Sequence, residues 1–194
     1  MMLNYARFRY FLKNHQYAEA VAEARHLQSI DKFDMGPVDC LAESLLALGD
    51  FTCALPLFGQ VDSAQRSDTT VPGQSGRRIW MSCINWILGN KGESIKLMSE
   101  MTDGIVDGSI KFGDAAGGVQ QGILLYYMGV SISDQMTTSR ALDYLRTRVK
   151  RPAIELFPGP VARYYLGEIN FNDLLAAATK GRAGDVVGAI EVAK

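Results

Sequence analysis

A short turn recurs along this chain at nearly constant spacing, and it restricts the possible folds more than any other feature. Leu48-Gly49-Asp50-Phe51-Thr52-Cys53-Ala54 joins two segments of apolar periodicity. His15-Gln16-Tyr17-Ala18-Glu19-Ala20 puts an aromatic and an alanine at the same points. Leu88-Gly89-Asn90, Met128-Gly129 and Leu166-Gly167-Glu168 repeat the apolar-glycine step. With His15, Gly49, Gly89, Gly129 and Gly167 as equivalent points, the intervals are 34, 40, 40 and 38 residues. That period is the size of one helical hairpin in a solenoid. Glycine closes a helix by entering the left-handed region, and a polar residue such as Asp50 or Asn90 opens the next one. A single hairpin cannot bury both faces, so neighbours must stack.

The periodicity predicts five hairpins: residues 2–13 with 16–29, 37–48 with 51–61, 77–88 with 92–102, about 117–129 with 136–149, and 159–167 with 171–179. A last helix over 182–193, carrying Val186, Val187, Ile190 and Val192, is placed to cap the array. The expected core stripes are Ala20, Ala24 and Leu27 beside Val21; Leu41, Leu45 and Leu48; Trp80, Ile84, Ile87 and Leu88; and Ala141, Leu142, Leu145 and Val149. Period-two alternation never persists, so strands are not expected. The expectation is an all-α chain of stacked helical hairpins with about 10–11 helices, forming one domain over residues 1–194. Two connectors, 62–76 and 103–118, are long for a minimal repeat, and long loops in compact folds often touch ligands.

Gly49, Asp50, Phe51 and Ala54 match the inter-helix turn of tetratricopeptide repeats, and Tyr17 and Ala20 match part of it in the first unit. Over about residues 1–60 the chain therefore resembles that family. Beyond them it departs: Ser94 stands where alanine is usual, and Asn170 delays the final hairpin. The resemblance implies a right-handed stack of helix pairs with a concave face that holds a peptide or protein. It implies no catalytic residue.

Composition narrows the function classes. Of the 194 residues 47% are apolar and 21% charged, which fits a globular protein, and the net charge of −1 provides no global attraction to phosphate backbones. The cysteines Cys40, Cys53 and Cys83 are odd in number and lack metal-ligand spacing, so no disulfide framework and no metal site are expected. Charges interrupt the N-terminal apolar residues, and no apolar run approaches the roughly 18 residues of a membrane span. A cytoplasmic location without membrane contact is the expectation.

No constellation points to catalysis. The run from Gly113 to Gly118 precedes a helix but lacks the lysine-serine or lysine-threonine ending of a phosphate loop, so a tight turn with an acidic cap accounts for it and no cofactor is expected. His15 and His26 are the only near-neutral bases, and neither has a nucleophile near it in sequence. Glu19 and Glu23 read as a solvated helix face. Arg140, Arg146, Arg148, Lys150 and Arg151 crowd the end of a helix, where the dipole favours cations. Arg77 and Arg78 begin a helix, where the dipole disfavours them, which marks them as partner-contact candidates. Tyr126-Tyr127 and Tyr164-Tyr165 are adjacent pairs whose members must face different ways, so Tyr127 and Tyr164 are candidates for a binding groove. Asp103, Asp107 and Asp114 lie in the glycine-rich connector and could cover a basic surface.

These observations point to a non-catalytic protein-binding module. Its size and form are similar to those of the immunity proteins with which bacteria neutralise a toxin, often a nuclease, delivered by a competitor. A tetratricopeptide-like adaptor or chaperone is the nearest alternative. An RNA-binding helical repeat would require Arg77, Arg78, Arg146, Arg148 and Lys150 to share a face, and nucleic acid is not the expected partner.

Overall fold

A computed structural model of the chain describes residues 2–31, 34–67, 76–110, 117–150 and 152–180. Among the described residues there are ten α-helices and no strand. They are α1 Met2–Lys13, α2 Tyr17–Ile30, α3 Met35–Leu48, α4 Phe51–Ser67, α5 Gly76–Ile87, α6 Lys91–Asp107, α7 Val119–Ser131, α8 Gln135–Arg148, α9 Gly159–Tyr165 and α10 Phe171–Lys180. A 3-10 turn, Pro152–Glu155, precedes α9. The helix expected over 182–193 lies outside the described residues. The chain divides into two compact units, Met1–Leu97 and Met98–Lys194, with the division inside α6.

Each hairpin is closed by the same backbone device. One residue adopts a left-handed conformation, its N–H bonds the carbonyl three residues back, and the next N–H bonds the carbonyl five back. At Gly49 (φ 81°) the acceptors are Leu46 and Leu45, and at Gly89 (φ 86°) they are Trp86 and Asn85. His15 (φ 57°) and Gly167 (φ 73°) repeat the pattern with Leu12 and Phe11, and with Tyr164 and Arg163.

The fourth hairpin differs from the sequence reading. Its left-handed residue is Ser133 (φ 57°), bonded to Val130 with Asp134 bonded to Gly129, so Gly129 is not the turn glycine. Gly129 is buried inside α7, where a Cβ would come within 2.7 Å of the Thr138 backbone nitrogen on α8. Its role is close helix packing. A Cβ on Gly122, two turns earlier on the same face, would meet Leu145 and Tyr144 at 2.6 Å. The missing side chains at these two positions let α7 and α8 approach each other.

In unit 1 the core is built from Phe8, Ala20, Ala24, Leu27, Leu41, Leu45, Ala54, Phe58 and Ile84. Consecutive helices from α1 to α5 pack against one another. Ala20 and Ala54, the small residues of the first two turns, are wholly buried. Ser94 takes the same place at the start of α6 and is also wholly buried. Its hydroxyl donates to the Ser82 carbonyl at 2.8 Å while the Ser82 hydroxyl donates to the Ser94 carbonyl at 2.8 Å. The reciprocal pair satisfies both hydroxyls, which explains how a polar residue replaces alanine there without a buried penalty.

Two of the expected stripes are only partly buried. Leu41 and Leu45 are buried but Leu48, at the end of α3, is exposed. In α5 Ile84 is buried with Ile79, whereas Trp80 and Ile87 are 45% and 57% exposed. Replacing Leu45 with alanine is expected to lower the stability of unit 1 by about 2–3 kcal/mol, since truncating a buried leucine leaves a cavity. An unchanged denaturation midpoint would show that this stripe carries no packing.

In unit 2 the core gathers Ile105, Val119, Ile123, Tyr144, Leu145, Ile154, Val161, Ala162 and Leu174. α7 packs on α8 and α9, and α9 on α10. The connectors are shorter than the sequence suggested. α4 continues to Ser67 and α6 to Asp107, so Asp103 and Asp107 are helical residues and do not lie in a loop.

Candidate functional site

The two arginines that open α5 are used inside unit 1. Arg77 Nε donates to Asp39 Oδ1 at 2.8 Å, a second guanidinium nitrogen bonds Asp39 Oδ2, and Glu43 lies 3.9 Å away, all on α3. Arg78 is buried, with its Nε 3.3 Å from Asp62 Oδ1 on α4. Carboxylates from two neighbouring helices thus offset the unfavourable dipole at this helix start. Burial pulls the Arg77 pKa down and pushes that of Glu43 up, the latter countered in part by Arg9. Tyr5 of α1 donates its hydroxyl to Asp34 Oδ2 at 3.1 Å. Asp34 also caps α3 by accepting the Gly36 N–H. Burial, then the Asp34 hydrogen bond, pushes the Tyr5 pKa up to about 12.

In unit 2 two of the candidate acids have partners. Asp103 on α6 is exposed and bonded to Arg140 of α8. Asp107 accepts the Ser109 N–H at 2.8 Å, and its bonds to Ser109 hold its carboxyl below the usual range. Asp114 lies outside the described residues, as does Arg151. Gly117 and Gly118, both left-handed, lead into α7, and the cap position is Gly118 itself.

The basic residues do not form one exposed face. Arg146 pairs with Asp143 at 2.5 Å. Arg148 is buried, donating to the Ile105 carbonyl at 3.3 Å with its guanidinium over the Tyr144 ring. Arg78 and Arg148 are thus both buried and bonded within their own units.

The adjacent tyrosines divide as their helical geometry requires. Tyr126 stacks on Tyr165 with ring centroids 4.4 Å apart, while Tyr127 is 54% exposed. Tyr165 is held up in pKa by burial and by its tyrosine neighbours. Tyr164 is 38% exposed and meets the Phe171 ring edge-on at 6.2 Å. Phe171 and Leu175, one turn apart on α10, are exposed beside it. Sequence patterning missed these last two. The amphipathic period of α10 was visible, but not which of its apolar residues remain outside the core.

No family model matches this chain, and no curated protein matches it.

His15 Nδ1 lies 2.6 Å from the Tyr17 hydroxyl at the first turn, and His26 is on the surface. Burial pushes the Cys40 thiol up to about 12 and raises that of Cys83, and the Asp50 contact raises that of Cys53. A raised thiol pKa means less nucleophilic thiolate at neutral pH. Among the described residues no group of three or more His, Cys, Asp or Glu side chains could hold a metal ion. No described helix is long and apolar enough to cross a membrane. The surface of the described residues also carries exposed aromatic side chains on packed helices.

Proposed function

We propose that this chain is a non-catalytic protein-binding module of tetratricopeptide-like form that neutralises a cognate toxin in the cytoplasm, the partner being a nuclease domain. The observation that carries this is the set of aromatic side chains held outside the core on packed helices: Tyr10 and Trp80 in unit 1, and Tyr127, Tyr164 and Phe171 in unit 2. Aromatics on a rigid scaffold present large contact area at little entropic cost and are enriched at interface hot spots. Support also comes from the hairpin repeat, because stacked helical hairpins leave extended faces free for a partner.

Carboxylates complete the fit to a nuclease, whose substrate cleft is basic. Asp103 and Asp107 stand exposed on α6, and Asp114 follows in the sequence. The Asp103–Arg140 pair is exposed and therefore contributes little to stability, so an incoming cation can displace Arg140.

The test is co-purification with the product of the adjacent gene, followed by a growth-protection assay. With Asp103, Asp107 and Asp114 replaced by alanine, protection is expected to fall, and binding by the wild-type protein is expected to weaken as salt rises. If no neighbouring product forms a complex, the inhibitor function is refuted. A complex that survives the triple replacement refutes the carboxylate mechanism alone.

A further inference from the structure

One face of α1 lies outside the packing of unit 1. Ala6, Arg9, Tyr10 and Lys13 follow the i, i+3, i+4, i+7 spacing that places residues along one side of a helix, and all four are exposed. The other side of α1 carries Phe8, Phe11 and Leu12 into the core. Tyr10 is 61% exposed, and its ring meets Phe11 edge-on with centroids 5.9 Å apart, a contact that supports the ring from the core side. Arg9 and Lys13 flank it, and among the described residues neither is in an ion pair. Other exposed basic side chains have acids beside them: Lys96 has Glu93, Arg140 has Asp103 and Arg146 has Asp143. α1 itself contains no acidic residue, and neither does the turn Asn14-His15-Gln16 that follows it. Glu43 of α3 is in the field of Arg9, but it also lies 3.9 Å from Arg77.

Resting on the protein-binding function proposed above, we infer that the Arg9–Tyr10–Lys13 face of α1 takes an acidic segment of the partner protein, one or two carboxylates beside an apolar side chain. The chemistry is complementary at each point. The Arg9 guanidinium offers a fork of donors that fits a carboxylate, Lys13 takes a second negative charge one helical turn away, and the Tyr10 ring covers the apolar side chain between them. Tyrosine and arginine are also the residues most enriched where binding energy concentrates. A second copy of this face is a poor occupant, because it would bring like charges together. Nucleic acid is a poor occupant as well. Two cations neutralise few phosphates, tight binding to a phosphate backbone needs several more, and the chain as a whole has a net charge of −1. This surface is separate from the carboxylates of α6, so the partner meets it with a segment outside the basic cleft.

The experiment measures affinity for the product of the adjacent gene by calorimetry, at low and at high salt, with the folded state of each full-length variant checked by circular dichroism. Tyr10→Ala is expected to weaken binding about 30-fold, as loss of an aromatic hot spot does. Arg9→Gln combined with Lys13→Gln removes two exposed charges that pair with nothing in the fold, so it tests the surface even if Tyr10→Ala loosens α1. The double variant is expected to bind about tenfold more weakly at low salt, with the difference shrinking at high salt. If the wild-type protein binds and both variants bind equally well, this surface assignment is overturned while the protein-binding function stands. If the wild-type protein binds no neighbouring product, both fall together. Two further outcomes also overturn the inference. Wild-type self-association that Tyr10→Ala abolishes, seen by analytical ultracentrifugation, would assign the face to a second copy. Binding of a labelled single-stranded RNA that the double variant abolishes would assign it to nucleic acid.

Discussion

Replacing Arg78 with alanine is expected to destabilise unit 1 by about 3–5 kcal/mol, the cost of breaking a buried ion pair from one side. The Asp62 side chain is only 4% exposed and that of Arg78 11%, so the carboxylate loses its cation at a site largely shielded from water. The cost arises from a carboxylate left in a medium of low polarity without this cation, more than from the attraction that is lost. The pair itself is not expected to add much net stability. Arg78→Met combined with Asp62→Leu should therefore recover most of the loss, because well-packed apolar residues often substitute for a buried pair at little cost. Arg77→Ala is expected to cost less, since that guanidinium is 29% exposed and its loss leaves carboxylates that water reaches. Both tryptophans lie in α5, so fluorescence during urea denaturation reports unit 1 directly. A loss below about 1 kcal/mol for Arg78→Ala would show that the pair does not tie α5 to α4.

Gly129→Leu is expected to cost about 3 kcal/mol or more in unit 2, at the upper end of what overpacking a core does. The first atom added would already overlap Thr138, at 2.7 Å from its nitrogen and 3.1 Å from its Cα. These are backbone atoms at the start of α8, held by the Thr138 N–H bond to the Asp134 carbonyl at 3.0 Å. A side chain in the way could change rotamer, but here α7 and α8 must separate. Gly92→Ala serves as the contrast. Nothing lies within 4 Å of a Cβ there, and alanine suits a helix better than glycine, so a gain of up to about 1 kcal/mol is expected. Equal melting curves for Gly129→Leu and the wild-type protein would mean that α7 and α8 do not depend on this close approach.

The two glycines also show how far a sequence can be read. Gly49, Gly89 and Gly167 announced their turns correctly because a helix end is a local event. It needs one left-handed residue and the two hydrogen bonds that follow it, all within six residues. Helix limits were legible for the same reason, to within a few residues through most of the chain. The exceptions are α4 and α6, which run on into segments of polar and glycine-rich composition where local signals favour a loop. At the fourth hairpin, Ser133 closes the helix without glycine, and Gly129 resembles a turn residue while serving as a packing residue. A conformational requirement and a steric requirement call for the same amino acid, and only the position of α8 separates them.

The surface was legible in kind but not in placement. Helical geometry alone settled that Tyr126 and Tyr127, and Tyr164 and Tyr165, must diverge, and the structure adds which member of each pair is exposed. Arg77 and Arg78 looked like contact residues because their dipole environment is unfavourable; the acids that offset it, Asp39 and Asp62, are 38 and 16 residues away in sequence. Arg140 reaches Asp103 across 37 residues in the same way. The amino-acid sequence by itself determined that this chain forms helical hairpins and where most of them turn, because those choices depend on backbone conformation within a few residues. The tertiary structure decided which apolar stripes are covered, which charges neutralise one another and which aromatics remain outside, because each depends on what a neighbouring helix brings alongside.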